Sequence, residues 1–310
     1  MGSSSQREAY GQALVKLGGE HPEMVVLDAD LGSSTNTLAF GKKYPERFFN
    51  FGIQEQNMMG AAAGLAASGK MVFASSFAAF ATGRAYDFIR QSICYSKLSV
   101  KIVATHAGIT VGEDGATHQM LEDIGLMTSL PNMCVIAPAD AAETTKVIEG
   151  IATLKGPFYV RLSREKVLDV TNYDFTVGKG VVARDGKDVT IISTGILLAS
   201  ALGAAEMLKK EGVDARVIHM PTIKPIDKDL IIKAAKETKG IVSVEEHNIY
   251  NGLGSRVAEV VSENHPAMVI RHGMQDRFGE SGKGWDLMKK YGLDEDGIAE
   301  KVRYLLSAVK

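Results

Sequence analysis

The strongest constraint on this chain is a repeated alternation of short, continuously apolar, β-branched runs with helical stretches. The runs are "MVVLDA" (24–29), "MVFAS" (71–75), "LSVKIVAT" (98–105), "MCVIAP" (133–138) and "PFYVRL" (157–162). Amphipathic or small-residue helices are predicted between them near 54–68, 78–95, 119–128 and 140–152. Strands without polar alternation must be covered on both faces, as in a mostly parallel sheet between helix layers. From about Asp169 to Lys187, "DVTNYDFTVGKGVVARDGK", turn dipeptides break the pattern. It restarts with strands at 188–194, 215–220, 240–246 and 267–273 and helices near 196–211, 228–237, 253–264, 282–290 and 294–308. The reading is two α/β domains with mostly parallel sheets, 1–172 and 188–310, joined by a linker at 173–187. A length of 310 residues suits two such units, each able to bury its own core.

Composition excludes several function classes. The 35 Lys and Arg are dispersed and balanced by 37 Asp and Glu, so no basic face for nucleic acid is expected. The apolar stretch 60–81 contains Lys70 and several serines, which reads as a packed helix followed by a strand and not as a membrane span. The opening "MGSSSQ" has no signal-peptide pattern and is given no part in the fold. Cys94 and Cys134, the two cysteines, are far apart among apolar or neutral residues, which predicts reduced, buried thiols and a cytoplasmic protein.

Two stretches carry candidate chemistry. In "NFGIQEQNMMGAAAGLAASG" (50–69), Glu55 falls in the first turn of a helix that follows a strand in "FFNFGI". An acid there suits the helix dipole and is common. The run of Gly and Ala behind it, however, predicts a helix that is buried or set at a subunit contact. Burial would favour a protonated acid able to donate a hydrogen bond. The second stretch, "THAGITVGEDGATHQ" (105–119), holds His106, Glu113, Asp114 and His118 among three glycines. It reads as a loop just beyond a strand, where open α/β sheets bind ligands, with a solvated loop of incidental histidines as the alternative.

Other signals are weaker. No Cys/His spacing or paired-His helix predicts a metal site. "GEDG" lacks the Lys-Ser/Thr of a P-loop and the spaced acids of an EF-hand, and "NGLGS" (251–255) reads as a turn. Phe77, Phe80, Tyr86 and Phe88 recur at near-helical spacing, a pattern that is core by default, with Arg84, Asp87 and Arg90 as solvent-facing or interface charges.

Taken together, and in order from Arg7 to Leu306, these stretches resemble the carboxyl-terminal half of thiamine-diphosphate-dependent transketolases. "FNFGIQEQNMMGAAAGLA" is similar to the family's pyrimidine-binding glutamate segment, and "GEDGATHQ" to its substrate loop. The resemblance implies a thiamine-diphosphate-binding pyrimidine domain followed by a transketolase C-terminal domain. It implies that Glu55 is the catalytic acid on the cofactor's aminopyrimidine N1′, with Phe80 and Phe77 as the ring's aromatic wall and Asp30 near the thiazolium. Gly83 stands where many members carry a third aromatic, leaving the wall thinner or filled by Tyr86. Ser34, His106, Arg164 in "VRLSREK" and Arg7 would hold a sugar phosphate. Asp114 would read a substrate hydroxyl, and His118 would act at the reacting end of the ketose.

The resemblance also implies what is missing. The family's Mg²⁺ motif, "GDG" followed by an Asn, does not occur in these residues, and the family's amino-terminal domain is expected on a separate chain. The expectation is the beta subunit of a split transketolase, active only with a separate N-terminal (alpha) subunit that supplies the Mg²⁺ ligands and the diphosphate site. The assembly would be α2β2, with homodimer contacts through both domains of this chain. It would transfer a two-carbon ketol unit from a ketose phosphate to an aldose phosphate, carried as an enamine on thiamine diphosphate. A 2-oxoacid dehydrogenase E1 beta-like subunit, a deoxyxylulose-phosphate-synthase-like half and a non-catalytic scaffold subunit are the rivals.

Overall fold

The computed structural model describes residues 2–309, so Met1 and Lys310, the outer bounds of the expected domains, lie outside the described residues. The strands are β1 (Ser3–Ser5), β2 (Met24–Asp28), β3 (Phe48–Asn50), β4 (Met71–Phe77), β5 (Val100–Thr105), β6 (Cys134–Ile136), β7 (Phe158–Arg161) and β8 (Lys166–Leu168). They continue as β9 (Val181–Arg184), β10 (Val189–Ser193), β11 (Ala215–His219), β12 (Thr222–Lys224), β13 (Ile241–Asn248) and β14 (Val269–Met274). One sheet runs β12-β6-β7-β5-β4-β2-β3 and another β14-β13-β10-β11-β9, with β1 and β8 forming a separate pair. Both large sheets are parallel except at one edge strand each, β12 and β9, which are antiparallel.

Both faces of the first sheet are covered, which accounts for its continuous apolar strands. On β2, Val25 and Leu27 face a core with Met58, Met59 and Ile102, while Met24 and Val26 face Tyr10, Leu14 and Phe73. The second sheet repeats the arrangement, with Val189 and Ile191 on one face and Ile192 on the other.

Two stretches read otherwise from sequence take part in the fold. The opening serines form β1, paired antiparallel with β8, and Ser5 caps helix Gln6–Glu20 by accepting from the Glu8 amide at 3.3 Å. Gln6 is pinned on both sides, its Nε2 donating to the Pro138 carbonyl at 2.7 Å and its Oε1 accepting from the Ser163 amide at 2.8 Å. Within 173–187, read as linker, Val181–Arg184 is β9 of the second sheet. The second half also sends β12 back to the edge of the first sheet, so the two halves share a strand ladder.

A buried polar network joins the halves more firmly. Arg161, at the end of β7, donates from Nε to Asp123 at 2.8 Å and from Nη2 to the Glu246 carbonyl at 2.7 Å. Tyr159 donates to the same Asp123 oxygen at 2.7 Å. Glu246 on β13 accepts the Thr110 amide at 2.7 Å, and burial pushes its carboxyl up against the opposing pull of Arg161 and that amide. Gly108 makes this approach possible. Its φ is +82°, and a Cβ there would meet the Glu246 carboxyl carbon at 2.1 Å.

The short glycine segment "NGLGS" has a similar explanation. Glu245 fills the start of helix Leu253–Asn264, accepting the Leu253 and Gly254 amides at 2.7 and 2.9 Å, so that helix end already carries an internal anion. Cys94 and Cys134 are buried and free, and burial pushes their thiols up to about 11 and about 12. No helix among the described residues is long and apolar enough to cross a membrane.

Replacing Arg161 with Met leaves Asp123 and Glu246 buried without their cation. The expected loss is about 3–5 kcal/mol in denaturant unfolding; a loss under about 1 kcal/mol would contradict the role given to the network.

Candidate active site

Because β2, β3, β4, β5 and β7 run parallel, their carboxyl ends meet on one edge of the first sheet. The sequence-predicted residues follow those ends. Asp30 lies just after β2, Glu55 after β3, Phe77 ends β4 with Phe80 next, His106 follows β5, and Arg164 follows β7. Asp30 and His106 both sit in the left-handed region, at φ +65° and +56°, a conformation uncommon for residues with a side chain but better tolerated by Asp and His than by most. Asn50 holds the Asp30 turn. Its Oδ1 accepts the Asp30 amide at 3.0 Å, and its Nδ2 donates to the Asp30 carboxylate at 3.2 Å. Beneath it, buried Asp28 accepts the Leu31 amide and the Thr35 and Thr37 hydroxyls at 2.6–2.9 Å, and burial pushes its carboxyl up.

Glu55 begins helix Glu55–Ala67 and is 1% exposed. Within this chain the helix buries Met58, Met59, Ala62 and Ala63 on one face, while Gln56, Asn57 and Gly64 lie open on another. Of the two expectations from its small residues, burial or a subunit contact, the chain alone gives burial on one face only. Beside the acid, Phe77 and Phe80 stack at 6.0 Å between centroids. Phe77 also stacks on His106 at 3.7 Å, and His118 meets Phe80 edge-on at 5.3 Å. Phe77 is buried, but Phe80 and Tyr86 are half-buried and Phe88 is exposed, so the stripe is a wall at the site instead of a core seam. Gly83 leaves the wall open, since a Cβ there would meet nothing within 4 Å. Tyr86 is held by its hydroxyl contact with Ser129 at 2.9 Å.

A basic cluster forms the other end. Arg7 donates to the Ser34 carbonyl at 2.7 Å and to the Arg164 carbonyl at 2.9 Å, while its buried Nε has no partner. Arg164 donates to the Val111 carbonyl and stands 3.8 Å from Asp114. Burial, aided by Arg7, Arg164 and His118, pushes His106 down to about 3, so its ring is neutral near neutral pH. The 105–119 segment, read as a loop, contains a tight turn at Ile109–Asp114 broken at Gly112. Gln119 clamps it, donating to the Glu280 carbonyl at 2.8 Å and the Gly112 carbonyl at 3.2 Å.

The largest departure from expectation is Arg84, read as a solvent or interface charge. Its Nη1 lies 2.9 Å from both oxygens of Glu55, and its guanidinium lies 4.7 Å from the Phe80 centroid. Glu55 is therefore paired with a cation, where burial alone pointed to a protonated acid. Asp28, Asn50, Gln119 and Glu246 were also missed as supports, because nothing in their local spacing marks them.

The arrangement fits a flat heteroaromatic ring with a basic nitrogen: a buried acid faces the site beside an aromatic surface with an open edge. The basic cluster with neutral His106 suits a phosphate monoester. Among the described residues no group of three or more His, Cys, Asp or Glu side chains gathers as a metal site.

Comparison with known proteins agrees with this geometry. Residues 3–168 match the family described as "Transketolase, pyrimidine binding domain" and residues 178–298 match "Transketolase, C-terminal domain". The chain is 52% identical over 301 residues to a protein of Methanocaldococcus jannaschii named as a transketolase C-terminal section, covering 96% of this chain and 94% of that protein. It is 40% identical over 307 residues to human transketolase, covering 97% of this chain but 49% of the human protein. A solved structure described as a split gene transketolase, inactive beta4 tetramer, superposes with a TM-score of 0.92 at 51% identity over 99% of both chains. The chain belongs to the transketolase family, as its pyrimidine-binding and C-terminal part.

Proposed function

We propose that the protein is the beta subunit of a split transketolase, moving a two-carbon ketol unit from a ketose phosphate to an aldose phosphate. The observation that carries this is an edge equipped for half of the reaction. Glu55, the Phe77–Phe80 wall and the Arg7–Arg164–His106 cluster converge there. A separate alpha subunit supplies the Mg²⁺ ligands and diphosphate site in this reading, in an α2β2 assembly for which the open face of helix Glu55–Ala67 is one contact. The 2-oxoacid dehydrogenase and deoxyxylulose phosphate synthase alternatives are not favoured, since the relatives compared above are transketolases. Buried, unpaired cysteines fit a cytoplasmic setting.

Thiamine diphosphate, when bound, supplies the carbon nucleophile that accepts and delivers the two-carbon unit. This chain's residues bind, orient and move protons around it. Glu55 holds a proton at the aminopyrimidine N1′, while Phe80, backed by Phe77, supports the ring face. Asp30 lies toward the thiazolium side. Arg7, Arg164 and Ser34 seat the sugar phosphate, and neutral His106 adds a hydrogen bond without a further charge. Asp114 accepts from a substrate hydroxyl, and His118 transfers a proton at the reacting end.

The test is to assay the chain alone and mixed with its alpha partner, with thiamine diphosphate, Mg²⁺ and a ketose phosphate. Ketol transfer only in the mixture is expected, and no gain on mixing overturns the reading. Glu55→Gln should lower kcat by about 10²–10⁴-fold in the assembled enzyme. Arg164→Ala should raise KM for phosphorylated sugars about 10–100-fold, with little change for an unphosphorylated ketose. Ring-nitrogen NMR of His106 should report a neutral imidazole from pH 5 to 8, since its folded-state value of about 3 lies far below the unfolded one. For the same reason stability should fall as the pH drops below about 6.5, where the unfolded chain takes up a proton that the folded ring refuses.

A further inference from the structure

We propose that Arg84 is an internal stand-in for the cofactor: its guanidinium occupies the aminopyrimidine seat in the free chain and must leave before thiamine diphosphate can bind. This rests on the reading of Glu55 as the acid that meets the aminopyrimidine. Arg84 ends the helical turn Ala79–Arg84, directly after the open position at Gly83. Its backbone is held by Gln56, whose Nε2 donates to the Arg84 carbonyl at 3.2 Å. The side chain makes two contacts. One is onto Glu55, with the single nitrogen Nη1 2.9 Å from each carboxylate oxygen. The other is with Phe80, the guanidinium carbon lying 4.7 Å from the ring centroid. These are the two partners assigned above to the aminopyrimidine, the Glu55 carboxyl and the Phe80 face, with the proton carried by the guanidinium here and by Glu55 when the ring nitrogen is the partner. A guanidinium and an aminopyrimidine are both flat and delocalised, and the seat has room on Glu55 for one of them.

The burial contrast gives the device a direction. The Glu55 side chain is 1% exposed and that of Arg84 is 47% exposed, so the acid is fixed and the cation has an outward path to water. A buried carboxylate without a counter-ion is costly. Arg84 relieves that cost while the subunit lacks cofactor, and the free energy of the displaced pair is subtracted from cofactor affinity. The orphan subunit is thereby kept folded with a pre-formed site, at the expense of weak cofactor capture.

Arg84→Met keeps side-chain length over Phe80 and removes the donor. In the assembled enzyme, calorimetric titration with thiamine diphosphate in the presence of Mg²⁺ should give a Kd lowered about tenfold relative to the parent. In the free chain the same substitution should lower Tm by about 2–4 °C, and adding Glu55→Gln should restore it. An unchanged or weaker Kd overturns the proposal. So does tighter association with the alpha subunit at unchanged cofactor Kd, which would mean that the partner and not the cofactor displaces Arg84. Should Arg84→Met fail to fold, Arg84→Lys keeps the charge but not the flat guanidinium; a smaller tightening is then expected, and none overturns the proposal. If the parent enzyme fails to bind thiamine diphosphate, or Glu55→Gln turns over normally, the functional reading falls and this inference with it. Parent binding and a Glu55→Gln defect without any gain from Arg84→Met overturn this inference alone.

Discussion

The buried guanidinium of Arg161 is the interaction on which the rest of the molecule depends. It lies between Asp123, at the start of a helix in the first half, and the Glu246 backbone, on a strand of the second. Two buried acids and a buried cation carry a large desolvation cost, which is met only when their geometry is complete. Completion here requires both halves at once, so domain docking and network formation are one event. The same Glu246 accepts the Thr110 amide, which holds the segment carrying His106, Asp114 and His118 over the sheet edge. A feature of the second domain thus sets the position of the first domain's candidate catalytic loop.

The site so built is one-sided. The candidate residues line the carboxyl edge of a single sheet, with an aromatic wall at one end and a basic cluster at the other, and the helix behind Glu55 keeps an open face of Gly64, Asn57 and Gln56. Such an edge binds a long cofactor only if another surface closes over it. A buried acid at such an open edge is costly unless it is paired. Pairing Glu55 with Arg84 answers that within the chain, and the open position at Gly83 leaves the wall uncrowded beside the arginine.

Much of this was legible in the linear chain. Apolar runs such as "VVLD" and "KIVAT" specify buried parallel strands because no residue in them suits a wet face, and parallel strands place the residues that follow them on one edge. Position alone pointed to the loop of His106, while Arg164 and its joining with Glu55 in one site came from the resemblance to transketolases. The supports could be read from neither. Arg84 and Glu55 are 29 residues apart and Arg161 and Glu246 are 85 apart, and no periodicity links such pairs. The opening serines and Val181–Arg184 also escaped notice, because three- and four-residue edge strands are defined by their partners, β8 and β11, more than by their own composition.

The sequence by itself determined the layered α/β architecture, the order of its strands along the chain and the chemical types presented at their ends, since local periodicity and side-chain volume dictate those. Only the tertiary structure decided the ionic partner of each buried acid. Burial of Glu55 alone points to a neutral carboxyl, yet the folded chain brings Arg84 within hydrogen-bond distance and makes it half of an ion pair. The state of a buried charge depends on what long-range folding places next to it, and that information resides in the packing of the whole chain and not in any stretch of it.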